Sequence, residues 1–191
     1  MHHQQADPPA ALQAIIKDFW YLRRDFDAQQ PSFEVAPDGY VELIFTFGSP
    51  CCVATAAGWQ LLPSPFLVGL LPQPLRFQAL GQLEVVGIKC FPWAVSRLLG
   101  LPPGPAGVQT VAHPLARLQA SLAQWLAAGN VAAALAEAAR YVEQLPLLPE
   151  SDPVLGKAGR ALHAAAGTVS VSQVAAAAHA TVRTLERKFK R

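Results

Sequence analysis

The chain has few charged residues and no long uninterrupted apolar run. Charged side chains make up 15% of its 191 residues and hydrophobic ones 52%, a balance that excludes a disordered chain and favours one good core with a small second domain. Glycine and proline interrupt the most apolar region, Val53 to Leu71, so we expect no membrane span. The N-terminus lacks the cationic and apolar segments of a secretory signal, and we therefore expect a cytoplasmic protein.

Cysteine is also scarce, and the motifs of common enzyme classes are missing. Cys51, Cys52 and Cys90 are odd in number and lack zinc-site spacing, so we expect reduced thiols, with a redox or metal-sensing role for the adjacent pair as the weaker alternative. The sequence has no GxSxG, P-loop, GxGxxG or HExxH motif. We therefore expect no catalytic site, no metal and no cofactor.

Residues 15 to 92 carry the alternating pattern of β-strands. Pro37–Gly39 predicts a turn, and in the following segment Tyr40–Phe47 apolar residues alternate with Glu42 and Thr46, which indicates a half-buried strand. Further extended segments are Phe66–Leu71, Leu75–Ala79 and Leu83–Phe91. Several short strands separated by glycine and proline are typical of a barrel or sandwich.

After residue 92 the pattern becomes helical. The predicted helices are Trp93–Leu99, Leu115–Ala128, Asn130–Leu145 and Pro153–Ala166. The proline-rich segment Pro146–Ser151 is the best linker. The sequence thus predicts an α+β protein, with an N-terminal domain over 1–145 (β-rich 15–92, helical connector 93–145), a linker over 146–151 and an all-α unit over 152–191.

The C-terminal unit has the capping and turn residues of a helix-turn-helix. Ser170 and Gln173 have capping-box spacing, which predicts a helix start. His179–Ala180 supplies a turn, and Thr181 is a good N-cap for the next helix. These signals predict two short helices joined by a tight turn.

The second of these helices has a cationic outer face. Its apolar residues Val182, Leu185 and Phe189 form a stripe that should face the core. The residues left facing outward are Arg183, Glu186, Arg187 and Lys190, flanked by Lys188 and Arg191. Of 15 Lys+Arg and 13 Asp+Glu, five cations and one acid lie in residues 183–191, which leaves 10 against 12 for the rest. Such a face can enter a DNA major groove, with Lys188 and Arg191 placed for phosphates; the alternative is a solvated helix end that complements the helix dipole.

The run Val171–Lys190 resembles the first helix-turn-helix of AraC-type transcriptional regulators. Residues that fit the family's pattern are Ala175, Thr181, Leu185, Arg187 and Phe189. His179 stands where the family usually has glycine. The resemblance implies that Arg183, Glu186 and Arg187 read bases in double-stranded DNA.

An AraC-type DNA-binding module has two such units joined by a long helix, and this sequence resembles only the first. We therefore expect a module truncated after that unit, with weak DNA binding, and RNA polymerase as a partner of the full-length regulator. The alternative is a ligand-binding or dimerisation module that does not bind DNA tightly.

The N-terminal part is similar to the sensor domain of one AraC branch. The similar segments are Phe19–Trp20, Pro37–Phe45, Phe66–Gly69, Val86–Pro92 and Leu98–Pro102, with Trp93 where a small residue is expected. The resemblance implies a domain that binds a small-molecule effector or contacts a protein partner, including a second copy of the chain. Our candidates for effector contact are Trp20, Tyr40, Glu42, Trp59 and Lys89; the alternative assigns the tryptophans to packing and the charges to a solvent-exposed sheet face.

Overall fold

The computed structural model describes residues 1–101 and 106–190. Pro102, which ends one of the sensor-like segments, and Arg191, a predicted phosphate contact, lie outside the described residues. In the described ranges the chain is α+β, with strands first and helices later, as predicted. The strands are β1 (His2–Ala6), β2 (Ile16–Phe26), β3 (Ser32–Val35), β4 (Val41–Gly48), β5 (Cys51–Thr55), β6 (Gly58–Leu61), β7 (Phe66–Val68), β8 (Leu75–Ala79), β9 (Gly81–Cys90) and β10 (Val108–Thr110).

The strands form two antiparallel sheets. The larger sheet has the order β1-β2-β9-β4-β7-β10, and the smaller one has the order β3-β8-β5-β6. Within the described residues they do not close into a barrel, so the barrel-or-sandwich expectation resolves to two sheets. The edge strands β1 and β10 were not predicted, because the short segments that form them lack the alternating pattern.

Most helices begin and end close to the residues that were predicted to cap or break them. They are α1 (Val95–Leu99), α2 (Leu118–Ala127), α3 (Val131–Gln144), α4 (Pro153–Ala164), α5 (Val171–Ala177) and α6 (Val182–Phe189). Asn130 caps α3 by accepting from the Ala133 amide at 3.0 Å. Asp152 caps α4 by accepting from the amides of Val154 and Leu155, each at 3.1 Å. The structure has no helix with both the length and the apolarity of a membrane span in its described residues.

The larger sheet is covered on both faces. On one face Leu43 and Phe45 of β4 pack with Leu118 and Leu122 of α2. On the other face Ile44 packs with core residues of the smaller sheet and is 6% exposed. The half-buried strand expected here is therefore buried on both sides, because the second sheet and the helices each cover one face.

Candidate nucleic-acid interface and ligand cavity

The predicted capping box at the start of α5 is present. The backbone N–H of Gln173 donates to Ser170 Oγ at 3.3 Å, and the backbone N–H of Ser170 donates to Gln173 Oε1 at 2.9 Å. Each side chain thus satisfies an amide that has no partner inside the helix. These bonds fix where α5 begins.

The turn between α5 and α6 uses a left-handed residue. His179 has φ of 52°, and the next amide, that of Ala180, donates to the Ala175 carbonyl at 2.9 Å. This is the conformation that favours glycine, the residue expected here by resemblance. Thr181 then accepts from the Thr184 amide at 3.1 Å and caps α6.

Only part of the predicted apolar stripe on α6 is buried. Leu185 is 2% exposed, whereas Val182 is 37% and Phe189 59% exposed. Leu185 packs with Ala158 of α4 and with core residues of α5. The stripe prediction fails at both ends because α6 is short and meets its neighbours around its middle.

The predicted reading face is exposed, and one flanking cation is engaged. The exposed side chains are Thr181, Arg183, Glu186, Arg187 and Lys190. Lys188 is half-buried and forms an ion pair with Asp152, the N-cap of α4. Burial alone would raise the pKa of Asp152, but the hydrogen bonds from Lys188 and the helix amides hold it below its usual value. Lys188 therefore ties α6 to α4, and a phosphate contact by Lys188 would have to open this pair.

The C-terminal unit contacts the β-rich domain through an aromatic cluster. Phe91 and Trp93 stack with ring centroids 4.9 Å apart, and His163 of α4 meets Phe91 edge-on at 4.7 Å. A Cβ at Gly159 would overlap the Trp93 ring. Beside this cluster lies a cleft of about 580 Å³, lined by Tyr40 and by other residues of both parts, including Asp38, Leu162 and Phe189. We call this aromatic contact together with the cleft beside it the joint.

The linker is also held in place. The Leu148 amide donates to the Arg97 carbonyl at 2.8 Å, and Arg160 of α4 forms an ion pair with Glu150 at 3.1 Å. The segment predicted as a linker is therefore attached at one end to α1 and at the other to α4.

A second cavity, of about 290 Å³, lies between the two sheets. Its walls are mostly apolar and come from both sheets, including Leu22, Phe33, Ile44, Phe66, Phe77 and Val85. Of the residues predicted for effector contact, Trp20 and Glu42 line it. Trp59 does not line it, because Trp59 lies on the edge strand β6 and is 46% exposed. Tyr40 lines the joint instead.

Lys89 does not line this cavity but belongs to a charged row that reaches it through Glu42. Asp18, Lys89 and Glu42 are directly paired across β2, β9 and β4. Lys89 Nζ lies 2.9 Å from Glu42 Oε1 and 2.8 Å from Oδ2 of Asp38. These four residues form what we call the charged row. Sequence reasoning missed Asp18 and Asp38, although the alternation along β2 puts Asp18 on the same face as Trp20.

Burial shifts the titration of this row. It raises the pKa of Asp18 and that of Glu42, in each case against the opposing charge of Lys89. Burial alone would lower the pKa of Lys89, but its bonds to Asp38 and Glu42 raise it above the usual value. The row therefore holds its lysine charged and disfavours its buried carboxylates as anions.

Comparison with known proteins gives one family. Residues 4–111 match the model of a domain of unknown function, DUF6597. The chain belongs to the DUF6597 family. No curated relative matches it. Among solved structures it is similar to the crystal structure of the AraC-like transcriptional activator CuxR, at 12% identity and a TM-score of 0.42, covering 95% of this chain and 76% of that one.

The DUF6597 match covers the region that carries the cavity. It runs from within β1 to the residue after β10 and so includes both sheets. The charged row and the aromatic pair Phe91 and Trp93 also lie inside it. The helices α2 to α6 lie beyond the matched residues.

Proposed function

We propose that this DUF6597 protein is a sequence-specific DNA-binding transcription regulator of AraC type. The observation that carries the proposal is the exposed face of α6, where Arg183, Glu186 and Arg187 project while Leu185 anchors the helix on α4 and α5. Arginine can hold guanine O6 and N7 with two hydrogen bonds, and glutamate can accept from cytosine N4. Inserting α6 into the major groove would bring these groups to base edges.

The rest of the C-terminal unit suits this role. Thr181 and Lys190 lie at the two ends of α6 and are exposed, so they can reach phosphates on either side of the groove. The ion pair between Lys188 and Asp152 fixes α6 on its supporting helix. We assign Lys188 mainly to this support, with phosphate contact by Lys188 and Arg191 as a secondary role.

For the β-rich domain we propose effector sensing without catalysis. Its cavity is small and mostly apolar with few polar groups, which is the character of a small-molecule binding site. A bound effector can change DNA affinity only by favouring one arrangement of the two parts, and the joint at Trp93 and Gly159 is where they touch. We further propose that the protein acts in the cytoplasm, that two copies pair, and that the full-length regulator contacts RNA polymerase.

A second candidate is a ligand-binding or dimerisation module that does not bind DNA tightly. The observation that favours it is the exposure of large apolar side chains on and beside the smaller sheet: Trp59 and Leu61 on its edge strand β6 and Leu80 just after β8 are 46%, 62% and 57% exposed. Exposed apolar patches mark contacts between proteins. Dimerisation through this edge is also compatible with DNA binding, so the measurement that separates the candidates must involve DNA.

Selection of duplexes from a randomised pool tests the proposal. The parent should enrich a short motif, and Arg187→Ala should bind it about 1 to 3 kcal/mol more weakly and relax the preference at one base pair. Lys190→Ala should weaken all duplexes alike. Arg117→Ala removes an exposed cation outside the C-terminal unit and should change neither. Enrichment of no motif by the parent, or an unchanged motif and affinity for Arg187→Ala, would favour the second candidate.

A further inference from the structure

The charged row has more negative than positive groups. It contains three carboxylates, those of Asp18, Asp38 and Glu42, and the single ammonium of Lys89. The groups outside the row whose positive charge favours the Asp18 carboxylate are Lys17 and, when protonated, His3. A buried charge is costly unless it is paired and hydrogen-bonded. The row would therefore be stabilised by a further positive group.

One carboxylate of the row lacks a partner. Asp18 is 8% exposed, and its Oδ1 has no hydrogen-bond partner among the residues that the structure describes. The neighbouring Glu42 is held by Lys89 through Oε1, while its side chain lines the cavity. The unpaired oxygen and the cavity-lining carboxylate both lie next to Lys89 in the strand ladder.

The cavity offers an apolar volume beside Glu42. At about 290 Å³ it is close to the lower limit for small-molecule sites. Trp20 also lines the cavity, and an indole face is the best aromatic surface for a cation. Arg24 also lines the cavity, but it lies six residues along β2 from Asp18, roughly 20 Å away, and its guanidinium lies over the Phe26 ring.

We propose that the cavity between the sheets binds a small organic cation, with its apolar body between the sheets and its ammonium group at Glu42, the carboxylate of the charged row that lines the cavity. The ligand class rests on the proposed sensing role of this domain. A metal ion fits less well, because the described residues contain no group of three side chains placed to hold one. A proton is the competing occupant, since burial raises the pKa of both carboxyls.

Lys89 connects this site to the joint. It binds Glu42, which lines the cavity, and Asp38, which lines the cleft facing α4 and α6. A ligand ammonium at Glu42 would compete with Lys89 and leave Lys89 to Asp38 and to the Tyr40 ring, 5.4 Å from its Nζ. Occupancy of the cavity would thereby change a contact at the wall of the joint.

The test compares three probes of similar shape and different charge on the full chain. They are phenethylamine, 2-phenylethanol and phenylacetate. In thermal unfolding and calorimetry at millimolar probe, the amine should bind and raise Tm, and the alcohol and acid should not. Its binding should strengthen as pH rises from the usual carboxyl range towards neutrality, because the carboxyls with raised pKa lose their protons while the amine keeps its charge.

Matched variants locate the charge. Glu42→Gln should weaken phenethylamine binding about tenfold or more, the effect of losing a charged hydrogen bond. Glu34→Gln alters another carboxylate that lines the cavity and should leave the affinity unchanged. If Glu42→Gln does not fold, Asp18→Asn serves as the second test variant. It should also lower the affinity for phenethylamine, because it removes a neighbouring negative charge.

Three results would overturn the proposal. They are equal stabilisation by the alcohol or the acid, amine binding that survives both Glu42→Gln and Asp18→Asn, and no binding of the amine to the parent. No DNA is present in this assay, so its failure would leave DNA binding by α6 untouched, and a failure of DNA binding would leave this result untouched.

Discussion

The indole ring of Trp93 lies against the backbone of Gly159, so closely that a Cβ at Gly159 would overlap ring atoms. Trp93 belongs to the N-terminal domain, in a helical turn just after β9, and Gly159 belongs to α4, which supports the cationic helix α6. Any residue larger than glycine at position 159 would push α4 away from the aromatic cluster. This contact therefore sets the distance between the two parts of the protein.

We predict that Gly159→Ala loosens the joint. In urea unfolding, the added methyl group should cost about 1 to 3 kcal/mol of stability, as overpacking does. Gly156→Ala on the same helix is the control, because its Cβ would meet the end of the Glu150 side chain, which can move. The control should gain the higher helix propensity of alanine, up to about 1 kcal/mol. Equal effects of the two changes would show that Trp93 does not control the joint.

Asp152 should make stability depend on pH at acid values. Its pKa is lowered in the folded state, so its stabilising effect is present above the unfolded pKa of 3.8 and is lost as pH falls through the folded value. Asp152→Asn keeps an N-cap but lacks the charge for Lys188. In urea unfolding between about pH 2 and 7, the parent should lose more stability towards acid than this variant does. Parallel curves would argue against the ion pair.

The Asp18 carboxyl should have the opposite effect. Its pKa is raised in the folded state, so its contribution favours folding below the unfolded pKa and is lost as pH rises through the folded one. Asp18→Asn should therefore stabilise the protein at neutral pH by about 1 kcal/mol. Asp25→Asn, an exposed acid on the same strand, is the control and should change little. Destabilisation by Asp18→Asn at neutral pH would contradict the buried, unpaired carboxylate.

His179 should tolerate glycine but not valine. With φ of 52° it occupies the left-handed region, which costs a β-branched residue most. His179→Val should lose more than about 1 kcal/mol in denaturant unfolding, and His179→Gly should lose nothing. A stable valine variant would mean that the turn between α5 and α6 adopts another conformation.

The sequence predicted the elements whose signals are local. Ser170 and Asp152 each cap a helix through a hydrogen bond to a residue two or three positions away, so the residue types alone indicate the helix starts. Leu185 was placed in the core because helical periodicity determines which face it occupies. The exposed positions of Arg183 and Arg187 followed from the same periodicity.

Features that depend on distant residues were not predictable in this way. Asp18 and Glu42 flank the same lysine, Lys89, only because β9 lies between their strands, and local sequence pattern does not determine the order of strands in a sheet. Phe189 was assigned to the core, but it lines the joint and is 59% exposed. Trp93 stands where the resemblance predicts a small residue, and the residue that makes room for its ring, Gly159, lies far along the chain in α4.

The salt dependence of DNA affinity tests the central claim most directly. Removing one cation that neutralises a DNA phosphate should reduce the slope of log affinity against log salt by about 0.9. The triple variant Arg183→Gln, Arg187→Gln and Lys190→Gln should therefore bind duplex DNA more weakly and with a shallower slope than the parent. The control triple Arg23→Gln, Arg76→Gln and Arg117→Gln removes the same charge from exposed positions outside the C-terminal unit and should keep the parent's slope. Equal slopes for the two triple variants, or a parent whose affinity does not fall with salt, would contradict DNA binding by α6.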